Sequence, residues 1–181
     1  MLVVGTGQMG IDYAMVLKSI GLDFDVAGRG SASAQAFTKA TSCDVVQGGI
    51  QQYIDRQSEP APSHAIVAVG VESLCEVTLK LLGWGVKNIL VEKPAGLSKA
   101  EIEEILLMSY DREASVFVAY NRRFYSSVIK AKEMIDTDGG VTSFSFEFTE
   151  WSHVIETINK APGVKEKWVL SNSSHIIDLA F

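Results

Sequence analysis

A chain of 181 residues is long enough for one well-buried domain and part of another, and its 47% apolar content is ordinary for a soluble globular protein. The formal net charge of −6, with lysines and arginines scattered rather than gathered into a stripe, argues against a nucleic-acid partner. The longest apolar runs are far too short to cross a bilayer, and no charged opening leads into a long apolar stretch, so the expectation is a cytoplasmic protein with no membrane partner and no secretory signal.

Apolar runs then alternate with amphipathic stretches up to about residue 136. The pattern predicts a strand at 2–5 and a helix at 9–20, then a strand at 24–28 and a helix at 32–40. Further strand and helix pairs follow at 44–47 and 50–56, 65–70 and 73–82, 88–92 and 99–108, and 116–120 and 124–135. The strands are near-continuous apolar runs, as expected of a parallel sheet covered by helices on both faces. The repeated order of strand and helix indicates a doubly wound α/β domain with a parallel Rossmann sheet. Ser98 and Glu101 have the spacing of a capping box that opens the helix at 99–108. Cys43 and Cys75 stand alone, without CxxC spacing, and read as two buried, reduced thiols. His64, His153 and His175 are dispersed, so no metal site is expected.

The pattern changes after residue 136. Asp138-Gly139-Gly140 signals a turn, and 141–151 then alternates, with Phe144, Phe146 and Phe148 on one face and Ser143, Ser145, Glu147 and Thr149 on the other. That predicts a half-buried strand of an antiparallel sheet. Pro162-Gly163 and an apolar, helix-like stretch at 174–181 follow. One alternating strand cannot bury its face alone. The expected organisation is therefore a dinucleotide-binding domain at 1–122 and, at 123–181, the beginning of a second α/β domain that is truncated.

Chemistry enters at two turns. Gly5-Thr6-Gly7-Gln8-Met9-Gly10 follows the first strand and opens the first helix. Gly5 permits the bend, Gly7 lets backbone approach phosphate, and Gly10 permits close packing of the helix. With Gln8 and Met9 these residues form a candidate pyrophosphate site, because the free N–H groups and dipole of a helix N-terminus favour an anion. The second strand ends in Gly28-Arg29-Gly30-Ser31, with no carboxylate at the tip to hold a ribose 2′-OH. A guanidinium suits a 2′-phosphate, so Arg29 and Ser31 favour NADP(H), with NAD(H) remaining possible. Asp25 is the competing residue, but it lies within the strand. Gly70 and Glu92, at the ends of the fourth and fifth strands, face the same edge of the sheet. Glu92-Lys93-Pro94 ends the fifth strand and puts Lys93 where ligands bind in open α/β sheets. A lysine beside a nicotinamide and out of bulk water can serve as a base, and a cis bond before Pro94 is compatible with the turn.

Together, GTGQMG, the E-K-P, Tyr120-Asn121-Arg122-Arg123-Phe124 and Asn172-Ser173-Ser174-His175-Ile176-Ile177-Asp178 resemble the glucose–fructose oxidoreductase, inositol dehydrogenase and MocA family over essentially the whole chain. The resemblance implies an N-terminal Rossmann domain and a C-terminal α/β domain with a mostly antiparallel sheet, through which members commonly form homo-oligomers. It also implies a pyridine-nucleotide oxidoreductase acting on a sugar, cyclitol or sugar nucleotide. Lys93 would be the catalytic lysine, touching both cofactor ribose and substrate, and His175 would face the substrate and assist proton transfer. Asn121 would lie beside the cofactor, and Arg122 and Asn172 beside the substrate. Many members carry an aspartate four residues before that histidine; here Ser171 stands in its place, so proton relay differs or runs through Lys93 and His175 alone. Two other readings stand beside hydride transfer: a non-catalytic dinucleotide-binding sensor, and a methyltransferase on a related sheet.

Overall fold

The computed structural model describes residues 1–57 and 60–180, which form two compact units, one ending at Ala119 and the other beginning at Tyr120. In the first unit, β1 (Leu2–Val4), β2 (Asp25–Gly28), β3 (Val46–Gln47), β4 (His64–Val67), β5 (Asn88–Glu92) and β6 (Ser115–Ala119) form one sheet. Its order is β3-β2-β1-β4-β5-β6, and every pairing is parallel. The connecting helices are α1 (Gln8–Ser19), α2 (Ser31–Thr41), α3 (Gly49–Asp55), α4 (Leu74–Trp84) and α5 (Lys99–Asp111). This is the doubly wound arrangement expected of the sequence. The order reverses between β1 and β4, which leaves a crevice outside their carboxyl ends.

Alternation along each strand divides the core between two layers. Leu2 and Val4 join Val67, Leu74, Leu81, Leu82 and Val91 on one face, while Val3 packs with Leu17 and Ile66 on the other. Phe37, Ala14 and Val26 extend that second layer under α2. Full burial of a leucine such as Leu81 stabilises the fold by about 1.5–3 kcal/mol. The register sets Val4 opposite both Ala27 and Val67, and Val67 opposite Val91. The ends of β1, β2, β4 and β5 are thereby brought to one rim. At the far edge, β6 leaves Phe117 63% exposed, so its outer face is not covered in the way the apolar run implied.

Ser98 caps α5 as expected, its Oγ accepting from the Glu101 N–H at 3.2 Å. The Glu101 carboxylate reaches back to the Leu97 N–H at 2.8 Å, one residue earlier than in the standard box. Strand β4 is shorter than expected because Gly70 leads into a 3-10 turn at Val71–Ser73. Cys43 and Cys75 are both free thiols, but only Cys75 is buried; Cys43 follows the left-handed Ser42 at the end of α2 and is half-exposed. No described helix is long and apolar enough to cross a membrane.

The second unit contains a 3-10 turn at Asn121–Phe124 and the helices α6 (Ser126–Thr137), α7 (Ser152–Thr157), α8 (Trp168–Ser171) and α9 (Ser174–Ala180). The strand expected at 141–151 does not form: among the described residues, 141–150 pairs with no other strand. Alternation supplies a face but not a ladder, and a strand needs a neighbour to take its N–H and C=O groups. Phe144, Phe146 and Phe148 are 58, 49 and 42% exposed, although Phe144 and Phe146 stack on each other at 6.2 Å.

Candidate functional site

The rim of the first unit holds a cavity of about 700 Å³, well within the size range of small-molecule sites. Its floor is the turn from β1 into α1: Gly5, Thr6, Gly7, Gln8 and Met9. Arg29 contributes from the end of β2, Ser33 from the first turn of α2, Gly48 and Gly49 from the end of β3, and Val69 and Gly70 from the end of β4. Glu76 and Lys80 of α4, Glu92 at the end of β5 and Lys93 directly after it complete the wall.

The floor is shaped for an anion. Gly5 has a φ of +122°, and a Cβ there would lie 2.1 Å from the Ala68 carbonyl oxygen, so only glycine allows the turn to press against β4. Helix α1 has no side-chain cap and no acidic residue in its first turn. Its leading N–H groups therefore face the cavity mouth without a built-in acceptor, in contrast to those of α5. Gly10 stands behind the floor rather than in the lining. A Cβ on it would meet the Gly5 carbonyl oxygen at 2.1 Å, so the backbone of α1 passes this close to the turn that follows β1 only because Gly10 has no side chain.

The β2 end differs from expectation in one residue. Ser31 takes the first position of α2, is exposed, and does not line the cavity; Ser33, further along the same turn, does. Thr6 Oγ1 donates to Ser33 Oγ at 3.0 Å, and Ser33 Oγ donates to the Gly30 carbonyl at 3.0 Å, tying the glycine turn to the start of α2. Sequence reasoning missed this pair, whose only signal was a hydroxyl at the variable position of the glycine motif. Asp25 accepts from the Tyr53 hydroxyl at 2.8 Å and begins β2 at the end away from the cavity, which removes it as a ribose ligand. Burial, then this bond, pushes the Tyr53 phenol well above its usual range. Glu76 is held below the usual carboxylate range by the Lys80 ammonium at 2.6 Å, with a lesser influence from Arg29.

Lys93 is half-buried at the end of β5. The Lys93–Pro94 bond is cis, and the Ala95 N–H donates to the Glu92 carbonyl at 3.0 Å, closing a tight turn. Sequence reasoning also missed Tyr13, whose hydroxyl donates to Glu92 Oε1 at 2.7 Å. Burial, then Glu92, raises the Tyr13 phenol above its ordinary value. Its signal was an aromatic residue with a polar tip four positions before the core residue Leu17.

The remaining sequence candidates lie in the second unit. Asn121 and Arg122 occupy the 3-10 turn. Asn172 donates to Glu150 Oε1 at 2.7 Å, and Trp168 Nε1 donates to the other oxygen of that carboxylate. The His175 ring stands edge-on to Tyr120 at 5.6 Å. Asp178 accepts from Arg123 through Nε at 2.7 Å and through Nη2, so its carboxylate fastens α9 to the turn. The Arg123 guanidinium also lies 5.8 Å from the centre of the Tyr120 ring.

A family model described as an oxidoreductase family with an NAD-binding Rossmann fold matches residues 1–120. The sequence has no match among curated proteins. Solved structures share the fold. A protein from Sinorhizobium meliloti 1021 provisionally assigned as a myo-inositol dehydrogenase aligns with a TM-score of 0.71 at 20% identity, covering 99% of this chain and 53% of its own. Myo-inositol 2-dehydrogenase from Lactobacillus plantarum aligns at 0.66 with 18% identity, covering 76% and 41%. The WlbA dehydrogenase from Chromobacterium violaceum, solved with NADH and UDP-GlcNAcA, aligns at 0.66 with 14% identity, covering 76% and 39%. The chain thus spans about half the length, or less, of these structures.

Proposed function

Because the chain belongs to the glucose–fructose oxidoreductase, inositol dehydrogenase and MocA family, we propose that it serves an NAD(P)-dependent oxidoreductase acting on a secondary alcohol or ketone of a sugar-like substrate. One observation carries the reading: the glycine turn of α1 and the Lys93 turn after β5 line the same cavity at the switch point of the sheet. The residues present fit a dinucleotide. Gly5, Gly7 and the first N–H groups of α1 would hold the pyrophosphate. Arg29, exposed at the tip of β2, would meet the adenosine ribose, and its charge favours NADP(H) over NAD(H). When bound, the nicotinamide supplies the acceptor or donor of hydride. Lys93 takes or returns the proton of the reacting hydroxyl; the roles of His175, Arg122 and Asn172 toward the substrate and of Asn121 toward the cofactor are those the family resemblance implies. Self-association through the second domain belongs to the same reading and is supported by the exposed Phe144, Phe146 and Phe148. The commitment of Asp178 to Arg123, with Ser171 in place of a carboxylate, favours the second reading, a dinucleotide-binding sensor without turnover.

The test is titration with NADPH and NADH, followed by assay of inositols, sugars and sugar nucleotides through the absorbance of the reduced cofactor. Lys93→Met is expected to keep cofactor affinity within about threefold and to lose roughly 10²–10⁴-fold in turnover, as for a general acid–base group. Failure to bind either dinucleotide overturns the proposal. Binding with no turnover on any of these substrates selects the sensor.

A further inference from the structure

Tyr13 belongs to α1 but acts at the end of β5. Its ring packs beside Val3, Leu17, Ile66 and Leu90, and from there its hydroxyl reaches Glu92 Oε1 at 2.7 Å. Glu92 lines the cavity and immediately precedes Lys93, while α1 begins at the glycine turn on the cavity floor. One rigid helix therefore touches both the phosphate-binding turn and the segment that carries the lysine. In this sheet order β2 flanks β1 on the adenosine side and β4 and β5 follow on the other, so Glu92 and Lys93 stand on the nicotinamide side.

We propose that Tyr13 is a positioning residue for the nicotinamide half of the site, fixing the Glu92 carboxylate so that Glu92-Lys93-Pro94 keeps its shape against the cofactor. The inference rests on the dinucleotide reading above. A phenol donating to a carboxylate is a charge-assisted bond, and one oxygen held by Tyr13 cannot swing into the cavity toward the ribose or the phosphates. Without the donor, a half-buried carboxylate is left to find another partner beside the bound ligand. The adenosine half, held at β2 and the glycine turn, does not depend on this bond.

The experiment compares whole dinucleotides with their adenosine halves. Affinities for NADPH and NADH, and for 2′,5′-ADP and ADP, are measured for the wild type, Tyr13→Phe, Glu92→Ala and the double variant. Tyr13→Phe is expected to weaken the better dinucleotide about tenfold, the loss of one hydrogen bond to a charged group, while the matching adenosine half changes by less than about twofold. Glu92→Ala removes the same bond from the other side and should reproduce the selectivity, and adding Tyr13→Phe to it should cost nothing more. Equal weakening of both ligands marks a loosened helix and overturns the inference, as does an undiminished effect of Tyr13→Phe in the Glu92→Ala background. A wild type that binds adenosine halves but no dinucleotide, or neither, overturns the functional reading first and this inference with it.

Discussion

Replacing Gly7 by alanine separates what the glycine turn does for the fold from what it does for a ligand. Gly7 precedes α1 with φ −80° and ψ −175°, angles open to any residue, and a Cβ there meets nothing within 4 Å. The cost to folding is the difference between glycine and alanine at a helix cap, on the order of 0.5–1 kcal/mol, offset by about 0.4–1 kcal/mol from the stiffer unfolded chain. The melting temperature should therefore move by less than about 3 °C for a chain of this size. The same open space is the cavity, however, and a methyl group would stand where phosphate oxygens approach the first N–H groups of α1. Losing one charge-assisted bond worth about 1.5–3 kcal/mol weakens NADPH roughly 10- to 150-fold. Gly10→Ala supplies the contrast, because its Cβ would lie 2.1 Å from the Gly5 carbonyl oxygen and 3.0 Å from the carbonyl carbon, both backbone atoms. That overpacking costs about 1–3 kcal/mol and lowers the melting temperature as well as the affinity. Thermal denaturation and fluorescence titration with NADPH measure both quantities. The reasoning is refuted if Gly7→Ala binds NADPH within about threefold of the wild type, or if it loses as much stability as Gly10→Ala.

Two further outcomes follow from the buried polar groups. The Tyr13 and Tyr53 phenols titrate above their ordinary value near 10, so their contribution is complete below that pH and fades as the unfolded chain begins to ionise first. Stability should decline above about pH 10, and Tyr53→Phe should flatten that decline in melts run across the alkaline range. Burial, aided by Glu101 and Glu104, pushes the Cys75 thiol up to about 11. Iodoacetamide at mildly alkaline pH should modify Cys43 while Cys75 reacts only on unfolding, as read by mass spectrometry; equal rates would contradict the burial of Cys75.

The doubly wound sheet was legible because each strand is a short apolar run bracketed by glycine or a polar turn, and each helix repeats its apolar residues at helical spacing. The positions of Lys93 and Arg29 at the rim followed from topology alone, since both stand directly after strands. What escaped detection was partnership at a distance. Nothing local to Tyr13 announces a bond to Glu92, and nothing in Thr6 announces Ser33. Ser31 is the serine nearer the strand tip, but sequence does not give the rotation of a side chain about the helix that brings Ser33 to the cavity instead. The phenylalanine alternation at 141–151 failed in the opposite way: its local pattern is that of a strand, yet pairing is a property of two segments.

The placement of β1 bears on how the chain is made. Of the six strands of this sheet it is synthesised first, and it is one of the two innermost, flanked by β2 on one side and β4 on the other. Its β2 edge can close early, but the other edge waits until His64–Val67 has emerged, a delay of roughly 3–12 seconds at ordinary translation speeds. Throughout that interval Leu2–Val4 offers an open row of amides and carbonyls to any passing extended segment. Translation speed across the α2 and α3 codons therefore governs how long the nascent sheet is vulnerable to mispairing.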